Sequence, residues 1–467
     1  MTDPFPLVPP AVVPPLDPEF RPAVLAHRAF TADVDASGAG VPLALALGRP
    51  DGSVSRLDTA VFPEGHPRFA GNLPHVERLY KFLLWARGGH ETWVGGPAAI
   101  GEHLRAVYSA GGARAFDAHL MGEDVYRRPF TVTPCRLEEV PPGRERGRPL
   151  GRHLDGCRIG FDLGASDRKV SAVVDGRPVF SEEVVWSPRA ASDPGYHHAE
   201  IRAALEAAAA HLPRVDAIGG SAAGIYVDNE VRIASLFRGV PKERYDEIRT
   251  LFLRLRDELG VPLEVINDGD VTALAGAMSL EDDAVLGVAL GSSEAAGYVD
   301  TAGRIPGWLS ELAFAPVDLS PSAPADEWSG DRGVGALYLS QQCVFRLSPR
   351  AGITLPDGVP DAERLRHAQE RLEAGHEGAV AIWRSMGVFL GYALAHYARF
   401  YDVRHVLVLG RCTSGRGGDL LLEGARDVFR AELPDLLRVN VQLPDEKSRR
   451  VGQSIAAASL PELRGRG

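Results

Sequence analysis

Four short stretches hold the residue types that phosphate and hydroxyl chemistry needs. Residues 158–176 read R-I-G-F-D-L-G-A-S-D-R-K-V-S-A-V-V-D-G, with Asp162, Gly164 and Ser166 at a small-residue turn between two apolar strands. Backbone N–H groups in such a turn can surround a phosphate. The Asp162 carboxylate could hold a magnesium ion through water. Further on, I-N-D-G-D (266–270) sets Asn267 and Asp268 directly after an apolar run, where a scaffold can aim a carboxylate. L-G-S-S-E (290–294) contributes Gly291, Ser292 and Ser293, and L-G-R-C-T-S-G (409–415) contributes Gly410, Ser414 and Gly415. Each stretch also has a plain reading, since Asn, Asp, Ser and Gly favour ordinary turns and helix caps.

The elements around these turns alternate between strand and helix, which is the pattern of an α/β protein. Strands are expected at 158–161 and 169–174, with a hairpin signal at Asp175-Gly176. A helix follows at 199–212, and a strand at 216–218 runs into G-G-S-A-A-G with Ser221. Residues 245–259 carry helical periodicity, 263–266 read as a strand and 271–278 as the next helix. Strands at 285–290 and 298–300 flank the third turn. Residues 362–400 are largely helical with a break near Gly375, and 406–409, 420–429, 439–441 and 447–459 read as strand, helix, strand and helix. Upstream, 41–47 and 53–62 flank Pro50-Asp51-Gly52 as a hairpin. Residues 75–86 and 98–108 read as helices, and 92–94 and 129–132 as strands. Residues 1–25 form a proline-rich lead. Residues 136–152, rich in Arg, Glu, Pro and Gly, read as a linker.

Composition excludes several classes. The 467 residues are 45% hydrophobic and 24% charged, the balance of an ordinary globular chain, and a net charge of −11 argues against a protein whose main business is nucleic acid, so no nucleic-acid partner is expected. No run of 18 apolar residues exists, so no membrane partner is expected. The first residues, M-T-D-P-F-P, lack the pattern of a secretory leader. The four cysteines (135, 157, 343, 412) are scattered without a C-x-x-C pair, which fits a reducing cytoplasm and argues against a zinc site.

Taken in order, D-L-G-A-S, I-N-D-G-D, L-G-S-S-E and L-G-R-C-T-S-G resemble the ROK family of sugar kinases and related repressors, within the actin–hexokinase superfamily. The resemblance covers residues 156–461. It implies a two-lobed actin/hexokinase-like, ribonuclease H-like α/β fold, with an additional N-terminal α/β domain. The expected domains are 26–152, a first lobe at 153–278 completed by the helix at 447–461, and a second lobe at 279–446. The cofactors implied are ATP and Mg2+. Asp268 is implied as the catalytic base, and Asp162, Gly164, Ser166, Gly291 and Ser292 as phosphate-turn residues. Gly410, Ser414 and Gly415 would form the adenosine turn. Asn267, Ser221 and Glu311 (in S-E-L-A-F, where the family has E-x-G-H) are the implied substrate ligands, and a homodimer is the implied assembly.

The chemistry of these roles is sound: a carboxylate that accepts the proton of a sugar hydroxyl is typically worth about 10²–10⁴-fold in rate. Departures from the family pattern are as informative. Glu327, Ser329 and Val334 fall where the family has zinc-binding cysteines, so no structural zinc is expected. Phe314 stands for the family histidine. Glu294 lies in a phosphate turn, where a carboxylate facing a triphosphate would repel it. Arg411 replaces a glycine in the adenosine turn. These departures keep a second reading open, a non-catalytic member that binds a sugar-like ligand and reports it by lobe closure. The front of the chain has no basic recognition helix, unlike the repressor branch.

Overall fold

The computed structural model describes residues 5–147, 150–444 and 446–463, the helix up to 451 through its backbone alone. The start of the proline-rich lead, two linker positions and residue 445 lie outside the described residues. By contacts the chain divides into two units, one of Met1–Arg146, Val288–Ala295 and Trp308–Leu443, the other of Gly147–Gly287, Ala296–Gly307 and Pro444–Gly467. The expected boundaries near 152, 278 and 446 follow a different division: here residues 26–146 share a unit with 308–443.

The first unit opens with a helix that apolar periodicity had not revealed, α1 (Ala23–Ser37), whose Gly38 caps it in the left-handed region. The hairpin β1 (Val41–Gly48) and β2 (Val54–Val61) forms as expected, with Val41 opposite Val61 and Gly48 opposite Val54. Helix α2 (Asn72–Arg87) follows, then β3 (Glu91–Gly95), α3 (Ala98–Val107), the short α4 (Ala115–His119) and β4 (Thr131–Cys135). The four strands make one sheet in the order β2-β1-β3-β4.

The second unit is built on β5 (Cys157–Leu163), β6 (Asp167–Val174) and β7 (Arg177–Val185), an antiparallel run, followed by α5 (Pro194–Ala209) and the parallel strand β8 (Ala217–Ala222). A small hairpin, β9 (Ile225–Val227) and β10 (Glu230–Ile233), turns through Asp228 and Asn229, both at positive φ (52° and 64°), a turn type that joins tight hairpins. Helices α6 (Tyr245–Arg249) and α7 (Leu251–Leu259) lead to β11 (Leu263–Asn267), and α8 (Asp268–Leu280) starts at the next residue. Sheet order is β11-β8-β5-β6-β7. The core beneath α5 to α7 is aliphatic and aromatic, with Phe161, Ile201, Ile218, Leu251 and Phe252 among its members.

The chain passes between the units within the hairpin β12 (Val285–Leu290) and β13 (Glu294–Val299). Then come α9 (Gln341–Leu347), α10 (Asp361–Glu373), α11 (Glu377–Tyr397), β14 (His405–Leu409), α12 (Arg416–Glu432), β15 (Asn440–Gln442) and α13 (Glu446–Ala458). Their sheet has the order β13-β12-β14-β15. Helix α11 is long and apolar enough to cross a membrane by length and composition. In this fold it is a core helix, with 16 of its 21 residues buried.

Helix α13 lies against β5, β6 and β8. Two glycines make that approach: a Cβ on Gly160 would meet Ser454 O at 1.8 Å, and one on Gly219 would meet Ala457 O at 1.6 Å. Buried Arg158 fastens the end of the helix, its guanidinium donating to Pro461 O (2.7 Å) and to Asp155 O (2.7 Å). The order strand, turn, strand, strand, with a returning C-terminal helix, is thus held by backbone contact that no side chain could share.

Candidate functional site

In the second unit the catalytic and magnesium candidates come together. Asp162 is not in the turn, as its neighbours led one to expect, but on β5, paired across the ladder with Lys169 on one side and Ser221 on the other. Ser221 is likewise a strand residue, buried on β8, and its hydroxyl donates to Asp162 Oδ1 at 2.6 Å. Burial raises the Asp162 carboxyl above its ordinary range, while the Ser221 bond and the Lys169 charge oppose this. Asp268 is the first residue of α8. Burial, then the charge of Asp162, push its carboxyl up to about 6. Two carboxylates that repel each other are a donor pair that a hard divalent cation would relieve, while among the described residues no group of three or more His, Cys, Asp or Glu side chains converges that could hold a metal ion.

Asp268 is aimed by its surroundings. Asn267 caps α8, accepting from Gly269 N (2.7 Å), and its amide donates to Gly224 O (2.7 Å). Asn267 is thus engaged in fixing the backbone around Asp268. Gly269 and Gly297 let β13 pass directly against the first turn of α8, where a Cβ on Gly297 would meet Gly269 C at 2.1 Å. Asp270 Oδ1 accepts from Tyr298 N at 3.2 Å, and burial lifts this carboxyl to about 7. Tyr226, on β9, escaped the sequence reading. Its hydroxyl donates to Ala223 O (3.2 Å), and burial followed by the nearby Asp268 charge raises its pKa well above the phenol value. The turn signal at Asp228-Asn229 would have marked its hairpin.

The turn expected to meet phosphate holds Gly164, whose N–H donates to Asp167 O (3.0 Å), and exposed Ser166, whose hydroxyl donates to Asp167 Oδ2 (2.9 Å). Lys169 Nζ stands 3.5 Å from Asp167 Oδ1.

In the first unit the second phosphate turn is shorter than expected. Only Gly291, Ser292 and Ser293 lie between β12 and β13; Gly291 N donates to Ser293 O (3.0 Å) and Gly291 O accepts from Gln341 N (2.9 Å). Ser292 and Ser293 are exposed. Glu294 is the first residue of β13 and turns inward, 3% exposed, accepting from Tyr397 Oη at 2.8 Å. Burial raises its carboxyl to about 8, with Glu311 adding repulsion. Glu294 is therefore a core residue whose burial favours the neutral carboxyl, and its side chain does not stand in the turn.

Gly410 has φ 98°, and a Cβ there would meet Leu290 O at 2.5 Å, so this turn admits only glycine. Ser414 and Gly415 are exposed at the start of α12, as is Arg411. The first N–H of α12, that of Arg416, donates to Glu373 Oε1 at 2.9 Å. Glu311 is half-buried, and its N–H donates to Trp85 O at 3.1 Å.

No family model matches the chain, and no curated protein does. Solved structures do. A ROK family glucokinase from Streptomyces griseus, in complex with glucose and AMPPNP, is similar at 22% identity and a TM-score of 0.50, over 65% of this chain and 98% of that one. A ROK hexokinase from Thermus thermophilus is similar at 18% identity and a TM-score of 0.50, over 64% and 97%. A ROK family transcriptional regulator, a homolog of the E. coli MLC protein, is similar at 16% identity and a TM-score of 0.50, over 66% and 78%. At these identities the likeness is one of fold: this chain has the actin/hexokinase-like α/β fold of ROK sugar kinases and of a ROK regulator alike.

Proposed function

We propose that the chain is an ATP- and magnesium-dependent kinase acting on a hydroxyl of a sugar or sugar-like molecule. The observation that carries this reading is Asp268, a half-buried carboxylate at the first position of α8 with Asp162 beside it and a carboxyl at about 6. In its ionised form Asp268 accepts the proton of the acceptor hydroxyl as that oxygen attacks phosphorus. Asp162, oriented by Ser221, would be the residue that helps to hold the magnesium ion. ATP supplies the phosphoryl group, and magnesium the charge that offsets its oxygens. In the second unit Gly164 and Ser166 are the proposed phosphate contacts. In the first, Gly291, Ser292 and Ser293 take that role, and Gly410, Ser414 and Gly415 that of nucleotide contacts. Glu311 and Ser221 are the proposed substrate-side residues.

A second reading, a ligand-binding sensor without turnover, is favoured by two observations. Asp167 takes the hydroxyl of Ser166, and Glu373 takes the first N–H of α12. Carboxylates at these places compete with phosphate for the same donors.

The test is ADP release with magnesium-ATP across hexoses, amino sugars, N-acetyl sugars and cyclitols, with Asp268→Asn beside the wild type. Turnover with one acceptor, lowered about 10²-fold or more in the variant, is the expected result. The wild-type kcat should fall as pH drops through about 6, because the base is then protonated. Undiminished turnover in Asp268→Asn would remove the base from the mechanism. Silence on the whole panel, with no ATP-induced rise in melting temperature, would leave the sensor reading.

A further inference from the structure

The N-terminal segment is joined to the Glu311 loop in a way that gives helix α2 a job. A helix leaves its last four carbonyls without intrahelical partners. In α2 these belong to Leu84, Trp85, Ala86 and Arg87. Leu84 O accepts from Gly88 N (2.8 Å), and the other three are taken in succession by one loop: Glu311 N to Trp85 O (3.1 Å), Ser310 N to Ala86 O (3.0 Å) and Leu309 N to Arg87 O (3.3 Å). Ser310 is held at φ 50°, a left-handed conformation unfavourable for a residue with a Cβ, and it is buried. The Trp85 ring stacks on Phe314, with centroids 4.4 Å apart. Arg87 lies over the Trp308 ring at 3.1 Å.

One α2 turn earlier, the helix grips a second piece of the same unit. Asp331, in the G-D-R-G loop, receives Arg78 (2.9 Å), Arg114 (2.6 Å) and Lys81 (3.2 Å). Lys81 also meets Asp117 at 2.7 Å, and Arg78 and Arg114 both meet Glu77. Three cations and three carboxylates balance inside the protein. Removing one leaves a buried charge uncompensated, so the geometry is specific rather than adjustable. Two of the places where the chain departs from the ROK pattern, Phe314 and the loop without cysteines, are held by α2.

We propose that α2 is a built-in positioning element for the Glu311 loop, with Trp85 as its positioning residue and the Arg78–Lys81–Asp331 cluster as its anchor. This rests on the reading of Glu311 as a substrate ligand. The N-terminal segment is then part of the substrate side of the enzyme and not an appendage. Trp85 touches no substrate; it acts by holding Phe314, and through it the loop.

Trp85→Leu tests this in the full chain, with Phe314→Leu as the reciprocal variant and glucose, mannose and N-acetylglucosamine as probes. The expected result is a rise of about tenfold or more in sugar KM, since a displaced ligand loses binding made equally in the ground state and the transition state. The ATP KM and kcat should stay within about threefold. An unchanged sugar KM, or a fall in kcat with both KM values rising together, overturns the proposal. If the wild type phosphorylates none of these sugars, the kinase reading is what has failed for them, and hydrogen exchange decides the positioning. Amides of 308–315 should then exchange about tenfold faster in Trp85→Leu, with 361–373 unchanged. Equal exchange in variant and wild type overturns it.

Discussion

Three histidines meet inside the first unit, and acid should find them. His27 on α1, His75 on α2 and His396 on α11 are all but fully buried. His27 Nδ1 and His75 Nδ1 are 3.1 Å apart, and the His27 and His396 rings stack at 5.4 Å. Phe5, Phe30, Phe82 and Phe400 enclose them. Neither ring nitrogen of His396 has a hydrogen-bond partner among the described residues. Burial, then the Arg399 charge, holds His396 well below its ordinary value of 6.5. Burial, with the neighbouring histidines and Arg399 and Arg78, does the same to His27, and His75 is pushed down to about 3. All three are therefore neutral in the folded chain.

The sign of the effect follows from proton counting. Below pH 6.5 the unfolded chain binds protons on these rings and the folded chain does not, so stability falls with pH. Each ring costs up to about 1.4 kcal/mol per pH unit, which between pH 6.5 and 5 is 1.5 units, or about 2 kcal/mol. The perturbation is His396→Leu. It deletes a ring of similar volume that makes no hydrogen bond, so at pH 7.5 the variant should lie within about 1 kcal/mol of the wild type. As pH falls from 6.5 to 5 it should gain progressively on the wild type, by up to about 2 kcal/mol. Urea unfolding at pH 7.5, 6.5, 5.5 and 5.0, followed by tryptophan fluorescence, reads the difference directly. A gap between the two proteins that does not change with pH would mean His396 is not held neutral, and would refute the argument.

Glu294 should behave in the opposite sense. Its raised carboxyl favours the folded chain fully below pH 4.5, and that contribution is lost as pH rises through about 8. Glu294→Gln, which can still accept from Tyr397, should therefore gain about 2–3 kcal/mol on the wild type between pH 5 and 7 in the same unfolding experiment; no gain would mean the carboxyl is not neutral in the core. Gly219→Ala, whose methyl would lie 1.6 Å from Ala457 O, should lower stability by about 3 kcal/mol or more. Gly111→Ala, with no atom within 4 Å of the new carbon, is the control, and equal melting temperatures for the two variants would contradict the close packing of α13.

What the sequence makes legible is periodic or punctuated. The apolar runs at 263–266 and 285–290, the amphipathic helix within 72–87 and the break at Gly375 all stand where their spacing puts them. Helix α1 was not legible, because His27, Thr31 and the alanines around them blur its apolar face, and its burial comes from α2, α11 and β2 rather than from its own pattern. Strand β7 was missed because it is exposed on both faces, with Val185 83% exposed, so no alternation marks it. Residue order also misled at Asp162 and Ser221, which look like turn residues but extend their strands by two to four positions.

The fates of the acidic residues show where sequence reading stops. Asp268, Asp270 and Glu294 all sit beside glycine or serine in motif-like stretches, and all three carboxyls are raised by burial. Yet Asp270 is used by Tyr298 N and Glu294 by Tyr397, while the side chain of Asp268, among the described residues, meets only local backbone N–H groups, that of its neighbour Gly269 (3.1 Å) and its own. A carboxylate committed to a backbone amide or a buried phenol is a structural group; one whose only bond is local can still accept a proton from a bound molecule. The same test applied to donors runs the other way, since Ser166 and Arg416 N already have carboxylate partners in exposed positions. Exposed bonds of this kind are worth little, about 0–1 kcal/mol, and a triphosphate with its metal brings several charges to displace them. On the proposed reading, the balance between turnover and mere binding would rest on weak surface contacts at the proposed phosphate turns, with Asp268 as base prepared by the buried architecture of α8 and β13.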